Sequence, residues 1–102
     1  MIKYTLYVGL NDKETKRQNV ETVEACKIAR NVILKYTDGA TIYNAVGFYT
    51  HSDGTVTIEN TLRIELFGTA PDALMIIIET LKTVFNQESI IKETQEIHSE
   101  YC

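Results

Sequence analysis

Residues 41–67 read TIYNAVGFYTHSDGTVTIENTLRIELF, two stretches of alternating side chains separated by a turn. The two-residue period predicts one strand over Thr41–Thr50 and a second over Thr55–Phe67. His51–Gly54 has the composition of a tight turn, so the two strands are predicted to form a hairpin. The second strand carries three charged side chains on the face opposite its apolar one: Glu59, Arg63 and Glu65.

A helical pattern of apolar residues flanks the hairpin on each side. The first predicted helix runs from Glu21 to Tyr36, with Gly39 expected to end it in a left-handed conformation. The second helical stripe covers Leu74–Phe85, and Thr69 or Asp72 is expected to cap its N-terminus. Its run of apolar residues is wider than one buried stripe requires, which indicates a surface available to a second subunit.

Further outward, the alternating pattern returns at both ends of the chain. Ile2–Leu10 is the first predicted strand and Ser89–Tyr101 is the last. The order strand, helix, strand, strand, helix, strand predicts an α+β, ferredoxin-like βαββαβ sandwich in which two helices cover one face of an antiparallel four-stranded sheet. We expect residues 1–102 to form a single domain. The segment Asn11–Asn19 is charged, has no apolar anchor and is expected to be mobile.

Composition restricts the classes of function. The 102 residues carry a formal net charge of -4, whereas nucleic-acid-binding proteins usually carry the opposite balance. No direct nucleic-acid binding is therefore expected. No apolar run is long enough to cross a membrane and no signal peptide is recognisable, so a cytoplasmic protein is expected. The two cysteines, Cys26 and Cys102, form neither a disulfide framework nor a metal-binding motif.

Four short motifs follow one another at characteristic spacing: LYVGL at 6–10, DGAT at 38–41, AVGFY at 45–49 and FNQESI at 85–90. In this series the chain resembles a bacterial domain family of unknown function with the pattern LYxGL…DGxT…AxGxY…QES. It departs from the family at Tyr36-Thr37, where the family has a proline-containing segment. The resemblance implies the same fold but no activity, and it draws attention to Tyr7, Glu59, Gln87 and Glu88. The chain is also similar to anti-CRISPR inhibitors, in size and charge alone.

The sequence contains no assembled catalytic group. Ser89 has no histidine placed to activate it, and the two histidines lie in a turn and near the C-terminus. No metal and no cofactor is therefore expected. Carboxylates are the best enzymatic candidates, because Glu59, Glu65 and Glu88 could meet near the open face of the sheet. The simpler interpretation of the same residues is a ladder of cross-strand ion pairs.

Two hypotheses of function follow. The first is a non-enzymatic acidic protein, of the kind encoded by phages and mobile elements, that inhibits a basic nucleic-acid-handling defence nuclease by binding it. Tyrosines on the open sheet face suit such an interface, and the same surface allows a homodimer. The second is a small-ligand-binding domain or an uncharacterised enzyme, with Glu59, Arg63 and Glu88 lining a pocket. The candidate protein-binding residues are Tyr7, Tyr49, Glu59, Arg63, Glu65, Glu88, Glu96 and Glu100.

Overall fold

Six elements follow one another in the predicted order in the computed structural model, which describes all residues from Met1 to Cys102. They are β1 (Ile2–Gly9), α1 (Thr22–Ile33), β2 (Thr41–Thr50), β3 (Val56–Phe67), α2 (Pro71–Val84) and β4 (Ile91–Glu96). The four strands form one sheet in the order β2-β3-β1-β4, and every neighbouring pair is antiparallel. The predicted α+β sandwich with a ferredoxin-like arrangement is confirmed.

The hydrophobic core lies between the two helices and one face of the sheet. Alternation along β1 and β3 directs every second side chain toward the helices. The buried apolar side chains are Leu6, Val8, Leu10, Ala25, Ala29, Val32, Ile33, Leu62, Ile64, Leu66, Leu74, Ile77, Leu81 and Phe85. No helix covers the opposite face of the sheet, so the polar side chains of all four strands remain on an open face.

The hairpin of β2 and β3 extends beyond the end of β1. Pairing between β1 and β3 stops at Gly9 and Thr61, whereas β2 and β3 remain paired as far as Thr50 and Val56. This free part of the hairpin, residues 46–58, has no helix packed against it. Phe48 and Ile58 pair across it and are 76% and 67% exposed.

Three predictions about the ends of elements were wrong. α1 ends at Ile33, with Leu34 as its C-cap, rather than at Tyr36, and Gly39 does not adopt a positive φ. Ala70 is the N-cap of α2, without a side-chain cap, while Pro71 occupies the first turn as expected. β4 ends at Glu96 instead of Tyr101, because the partner strand begins at Ile2, opposite Glu96.

Candidate functional site

A cleft of about 750 Å³ lies where β1 ends on the open face of the sheet. The free part of the hairpin forms one wall, and two loops form the other. One loop follows β1 and contributes Asn11, Asp12, Lys13 and Lys16; the other joins α2 to β4 and contributes residues 87–89. The volume falls within the usual range for small-molecule sites, about 300–1,000 Å³.

Two glycines open the floor of the cleft beside a carboxylate. Gly9 of β1 and Gly47 of β2 lie next to β3, and Gly47 pairs with Glu59. A Cβ atom at Gly9 would lie 2.5 Å from Oε1 of Glu59, and one at Gly47 would lie 3.0 Å from Oγ1 of Thr61. The carboxylate of Glu59 therefore occupies space that a side chain at residue 9 would otherwise fill.

Glu59 is half-buried and has no cationic partner. The backbone N–H of Asn11 donates a hydrogen bond to its Oε2 over 3.0 Å. The ion pairs of the chain join Lys3 and Arg63 to Glu65, Lys82 to Glu79 and His98 to Glu100, and none includes Glu59. A carboxylate in this setting retains one oxygen, Oε1, that can interact with a cationic ligand.

The loop after β1 is held in place against the loop after α2. Oδ1 of Asp12 accepts hydrogen bonds from the backbone N–H groups of Glu14 and Thr15, at 2.8 and 3.0 Å. Its Oδ2 accepts from Nδ2 of Asn86 at 3.0 Å. These bonds hold the pKa of the Asp12 carboxyl below its ordinary value, with the bond from Thr15 contributing most.

Two further bonds join the same loops. The backbone N–H of Lys13 donates to the carbonyl of Asn86, and Nε2 of Gln87 donates to the carbonyl of Asn11. Asn86 has a φ of 47°, which turns the chain after α2 back toward the loop. The segment that the sequence predicted to be mobile is therefore attached to the rest of the fold by polar contacts.

Aromatic side chains line the hairpin wall of the cleft. Tyr49 and His51 meet edge to face, with ring centroids 4.8 Å apart. Nε2 of His51 lies 2.6 Å from Oγ1 of Thr57 on the facing strand, so this hydrogen bond holds the imidazole against the hairpin. Rings in this position offer an apolar, polarisable surface to a flat ligand.

A second polar cluster lies farther along the open face, around Glu65. Its carboxylate is 2.9 Å from Nζ of Lys3, accepts from Nη2 of Arg63 at 3.1 Å, and accepts from the Tyr43 hydroxyl at 3.0 Å. The guanidinium of Arg63 also lies 5.1 Å from the Tyr43 ring centroid. The hydrogen bond from Lys3 is the main reason why the pKa of Glu65 is below its ordinary value.

Tyr7 lies between the two clusters and lines both the cleft and a second cavity of about 460 Å³ that includes Arg63. Its hydroxyl donates a 2.8 Å hydrogen bond to Oε1 of Glu93. That bond to a carboxylate raises the pKa of the Tyr7 phenol above its ordinary value. Tyr7 is therefore shared by the cleft and the second cavity.

The structure brings some of the predicted site residues together and separates others. Tyr49, Glu59 and Glu88 line the cleft together with Tyr7, whereas Arg63 and Glu65 belong to the second cluster. Six residues along β3 separate Glu59 from Glu65, about 20 Å at the rise of a strand. A pair of carboxylates acting as acid and base is therefore not formed by these two residues.

The two acidic residues near the C-terminus do not line the cleft. Strand alternation places Glu96 on the helix side of the sheet, because its neighbour Gln95 lines the second cavity on the open side. Glu100 follows the last strand and contacts His98 at 2.8 Å. The eight candidate protein-binding residues thus do not form one continuous surface.

Several cleft residues were not identified as site residues from the sequence. Lys13 and Lys16 lie in a segment that was interpreted only as a charged loop, and Gly9 was noted only as part of a motif. The motif series could have indicated Gly9, because LYVGL and NQES lie side by side at the cleft, but it does not include the two lysines. Contact between the two motifs depends on long-range pairing between β1 and β3 and between the two loops.

No group of three or more His, Cys, Asp and Glu side chains converges in the way a metal site requires. No helix combines the length and apolar character needed to cross a membrane.

Comparison with known proteins identifies a family and a structural similarity. A family model described as "Protein of unknown function (DUF3574)" matches residues 3–101. No curated protein matches the sequence significantly. Among solved structures, a phage SAM lyase in complex with S-methyl-5'-thioadenosine is 26% identical, with a TM-score of 0.64 over 93% of this chain and 80% of that one. A phage SAM lyase in its apo state is 22% identical, with a TM-score of 0.66 over 92% and 78%.

Proposed function

This chain belongs to the DUF3574 family, whose description assigns no activity, and we propose from its geometry that it is a lyase of S-adenosylmethionine. The cleft binds this sulfonium compound and the reaction releases S-methyl-5'-thioadenosine. The observation that supports this most directly is Glu59, a half-buried carboxylate without a cationic partner on the floor of a cleft large enough for a nucleoside. The 26% identity to a phage SAM lyase over 93% of the chain supports the same substrate class.

The charge of Glu59 explains how such a ligand would be held. S-adenosylmethionine carries a positive sulfonium and a positive ammonium group, and an anionic side chain in a partly desolvated site attracts both. The nucleoside part would lie against the hairpin wall, where Tyr49 and His51 provide ring edges and faces. Glu59 thus acts in binding and orientation.

The bond cleavage balances without water. The carboxylate of the ligand's own aminocarboxypropyl group attacks its γ-carbon, a C–O bond forms, and the C–S bond breaks with its electron pair moving to sulfur. The products are S-methyl-5'-thioadenosine and a lactone, and no proton is transferred. Elimination, in which a base removes a β-proton of the aminocarboxypropyl group, is a less suitable route than internal attack. A glutamate carboxylate is a weak base for a proton on such an unactivated carbon. The protein would accelerate the internal attack by holding the ligand folded, with nucleophile and γ-carbon close together.

Incubation of the purified protein with S-adenosylmethionine, followed by chromatography, tests this function. We expect S-methyl-5'-thioadenosine and the lactone to accumulate in equal amounts. Glu59→Gln should reduce the rate at least tenfold, because it removes the charge while retaining an acceptor for Asn11. Glu79→Gln on α2 is the matched control and should have no effect. Absence of both products with the wild-type protein contradicts the proposal.

A second candidate is the non-enzymatic inhibitor, in which the acidic surface binds a basic, nucleic-acid-handling defence nuclease, as an anti-CRISPR-type protein would. The exposed Tyr49 and the position of Glu59 and Glu88 at one cleft favour an interface there. Capture of host proteins at low and high salt tests it. Loss of a captured nuclease on Glu59→Lys and Glu88→Lys, with retention on Glu96→Lys, would support an interface at the cleft. Capture of no nuclease at low salt would contradict this candidate.

Self-association through apolar surface also remains a prediction. The α2 patch is only partly available, since Leu74 and Ile77 are buried while Met75 and Ile76 are exposed. The free part of the hairpin is more exposed, and Phe48 is its largest apolar side chain. Light scattering should give the mass of a dimer for the wild-type protein, and Phe48→Ser should shift the population toward monomer. A wild-type monomer at high concentration would contradict this prediction.

A further inference from the structure

Charged groups of both signs line the cleft. The anionic residues are Glu59 on β3, Glu88 on the loop after α2 and Asp12 on the loop after β1, and the Asp12 carboxylate already accepts three hydrogen bonds within the protein. The cationic ones are Lys13 and Lys16, both on the loop after β1. Neither lysine forms an ion pair within the chain. An amino-acid group, with one positive and one negative end, is complementary to this arrangement.

The loop that carries the two lysines is ordered mainly by contacts that do not involve their ammonium groups. Asp12 accepts three hydrogen bonds, and the backbone N–H of Lys13 donates to the carbonyl of Asn86. The ammonium of Lys16 donates to the backbone carbonyl of Lys13, which brings the two residues together. The backbone positions of the two lysines are therefore defined before a ligand arrives, which reduces the entropy cost of binding.

The backbone at Lys16 is a second, independent observation. Its φ is 62°, in the left-handed region where glycine and asparagine are more stable than a long side chain. A lysine at this position thus costs conformational energy, and no ion pair inside the protein offsets that cost. Unfavourable backbone conformations of this kind concentrate at binding sites.

We propose that Lys13 and Lys16 bind the α-carboxylate of the ligand's aminocarboxypropyl group while Glu59 attracts its cationic groups. This inference rests on the proposed function and extends it, because it assigns substrate selectivity to the loop after β1. The cleft then prefers adenosyl compounds that retain the carboxylate over decarboxylated ones. A decarboxylated compound would bind less tightly, because it offers the two ammonium groups no ligand carboxylate.

Binding of two thioethers tests the inference separately from catalysis. S-adenosylhomocysteine and S-adenosyl-3-thiopropylamine differ only in the α-carboxylate. Neither is cleaved readily, because a thioether would have to release a thiolate, a much poorer leaving group than the neutral thioether that a sulfonium releases. Calorimetric titration should show that the wild-type protein binds the first about tenfold or more tightly than the second. The double variant Lys13→Gln/Lys16→Asn should lose this preference, because only its affinity for S-adenosylhomocysteine should fall. Asparagine tolerates the left-handed conformation, so the fold is expected to persist.

Lys27→Gln on α1 removes the same charge away from the cleft and should leave both affinities unchanged. Two results with the wild-type protein would overturn the inference: equal affinity for the two thioethers, or no binding of S-adenosylhomocysteine. An equal loss of affinity for both thioethers in the double variant would also overturn it. Release of S-methyl-5'-thioadenosine from S-adenosylmethionine is measured in parallel. If it occurs while the thioethers are not distinguished, the proposed function stands and the assignment of the lysines fails.

Discussion

Gly9 on β1 and Glu59 on β3 share a volume that accommodates only one side chain. A Cβ atom at Gly9 would lie 2.5 Å from Oε1 of Glu59 and 2.6 Å from its Cδ. The two residues come from strands that are paired only as far as Gly9, so the carboxylate folds over the end of β1. The absence of a side chain at residue 9 therefore determines where the anionic group of the cleft lies.

Gly9→Ala should impair the cleft more than the fold. The atoms that an added methyl group would contact belong to the end of a flexible side chain, so Glu59 can rotate away while the strands remain paired. We expect a loss of stability under about 1 kcal/mol and a loss of activity similar to that of Glu59→Gln. Gly39→Ala is the control, since a Cβ atom there has no neighbour within 4 Å. Unchanged activity in Gly9→Ala would show that the position of the carboxylate is unimportant.

Glu65 should make stability depend on pH in the acid range. Its pKa is lowered in the folded state, mainly by the hydrogen bond from Lys3, so the ionised form stabilises the fold. The contribution is present above the ordinary pKa of a glutamate, about 4.3, and is lost as pH falls through the lowered pKa. Glu65→Gln should cost about 1–3 kcal/mol at pH 7, because Lys3 and Arg63 lose their charged partner.

Urea unfolding of wild type and Glu65→Gln at several pH values measures this dependence. The difference between the two free energies of unfolding should shrink steadily as pH is lowered, since protonation removes the same charge that the variant lacks. Glu24→Gln on α1 is a control carboxylate on a different element and should give a small difference. A difference between wild type and Glu65→Gln that does not vary with pH would contradict the role of the ion pair.

Truncation of apolar side chains should destabilise the fold more at fully buried positions than at half-buried ones. Leu62 is fully buried, so Leu62→Ala should cost about 2–5 kcal/mol in urea unfolding. Ile77→Ala should behave similarly because Ile77 is also fully buried. Ile78 is only half-buried against the core, so Ile78→Ala should cost less than either. Equal costs for Ile77 and Ile78 would show that α2 buries a wider stripe.

The fold could be predicted because its determinants are local. Strand alternation identified Ile2–Gly9, Thr41–Thr50 and Val56–Phe67 to within a residue, and helical spacing identified α1 and α2. The ends of elements were less predictable, as at Leu34, because propensity does not determine where tertiary contacts stop. β4 is the clearest case, since the length of its partner strand and not its own alternation ends it at Glu96.

The cleft was only partly predictable because it is built from distant segments. Glu59 and Glu88 were identified as candidates from the motif series, and both line it. Lys16 could not be identified, since neither its left-handed φ nor its neighbours are encoded in a short motif. Glu65 was grouped with Glu59 because they share a strand face, but pairing with β1 places Glu65 near Lys3 and Glu59 beyond the strand's end.

Asp12→Ala should loosen the loop without removing any charged group that is proposed to contact the ligand. The variant loses the acceptor for the backbone N–H groups of Glu14 and Thr15 and for the Asn86 side chain. Hydrogen exchange at these two amides should accelerate, and binding of S-adenosylhomocysteine should weaken as the lysines lose their fixed position.

The same exchange rates should depend on pH in the wild-type protein. Because the pKa of Asp12 is lowered, its carboxylate remains ionised below the ordinary range, and exchange in wild type should approach that of Asp12→Ala only as this carboxylate is protonated. Asp38→Ala, on an exposed residue between α1 and β2, is the control and should change neither measurement. Unchanged exchange at Glu14 and Thr15 in Asp12→Ala would show that other contacts hold the loop.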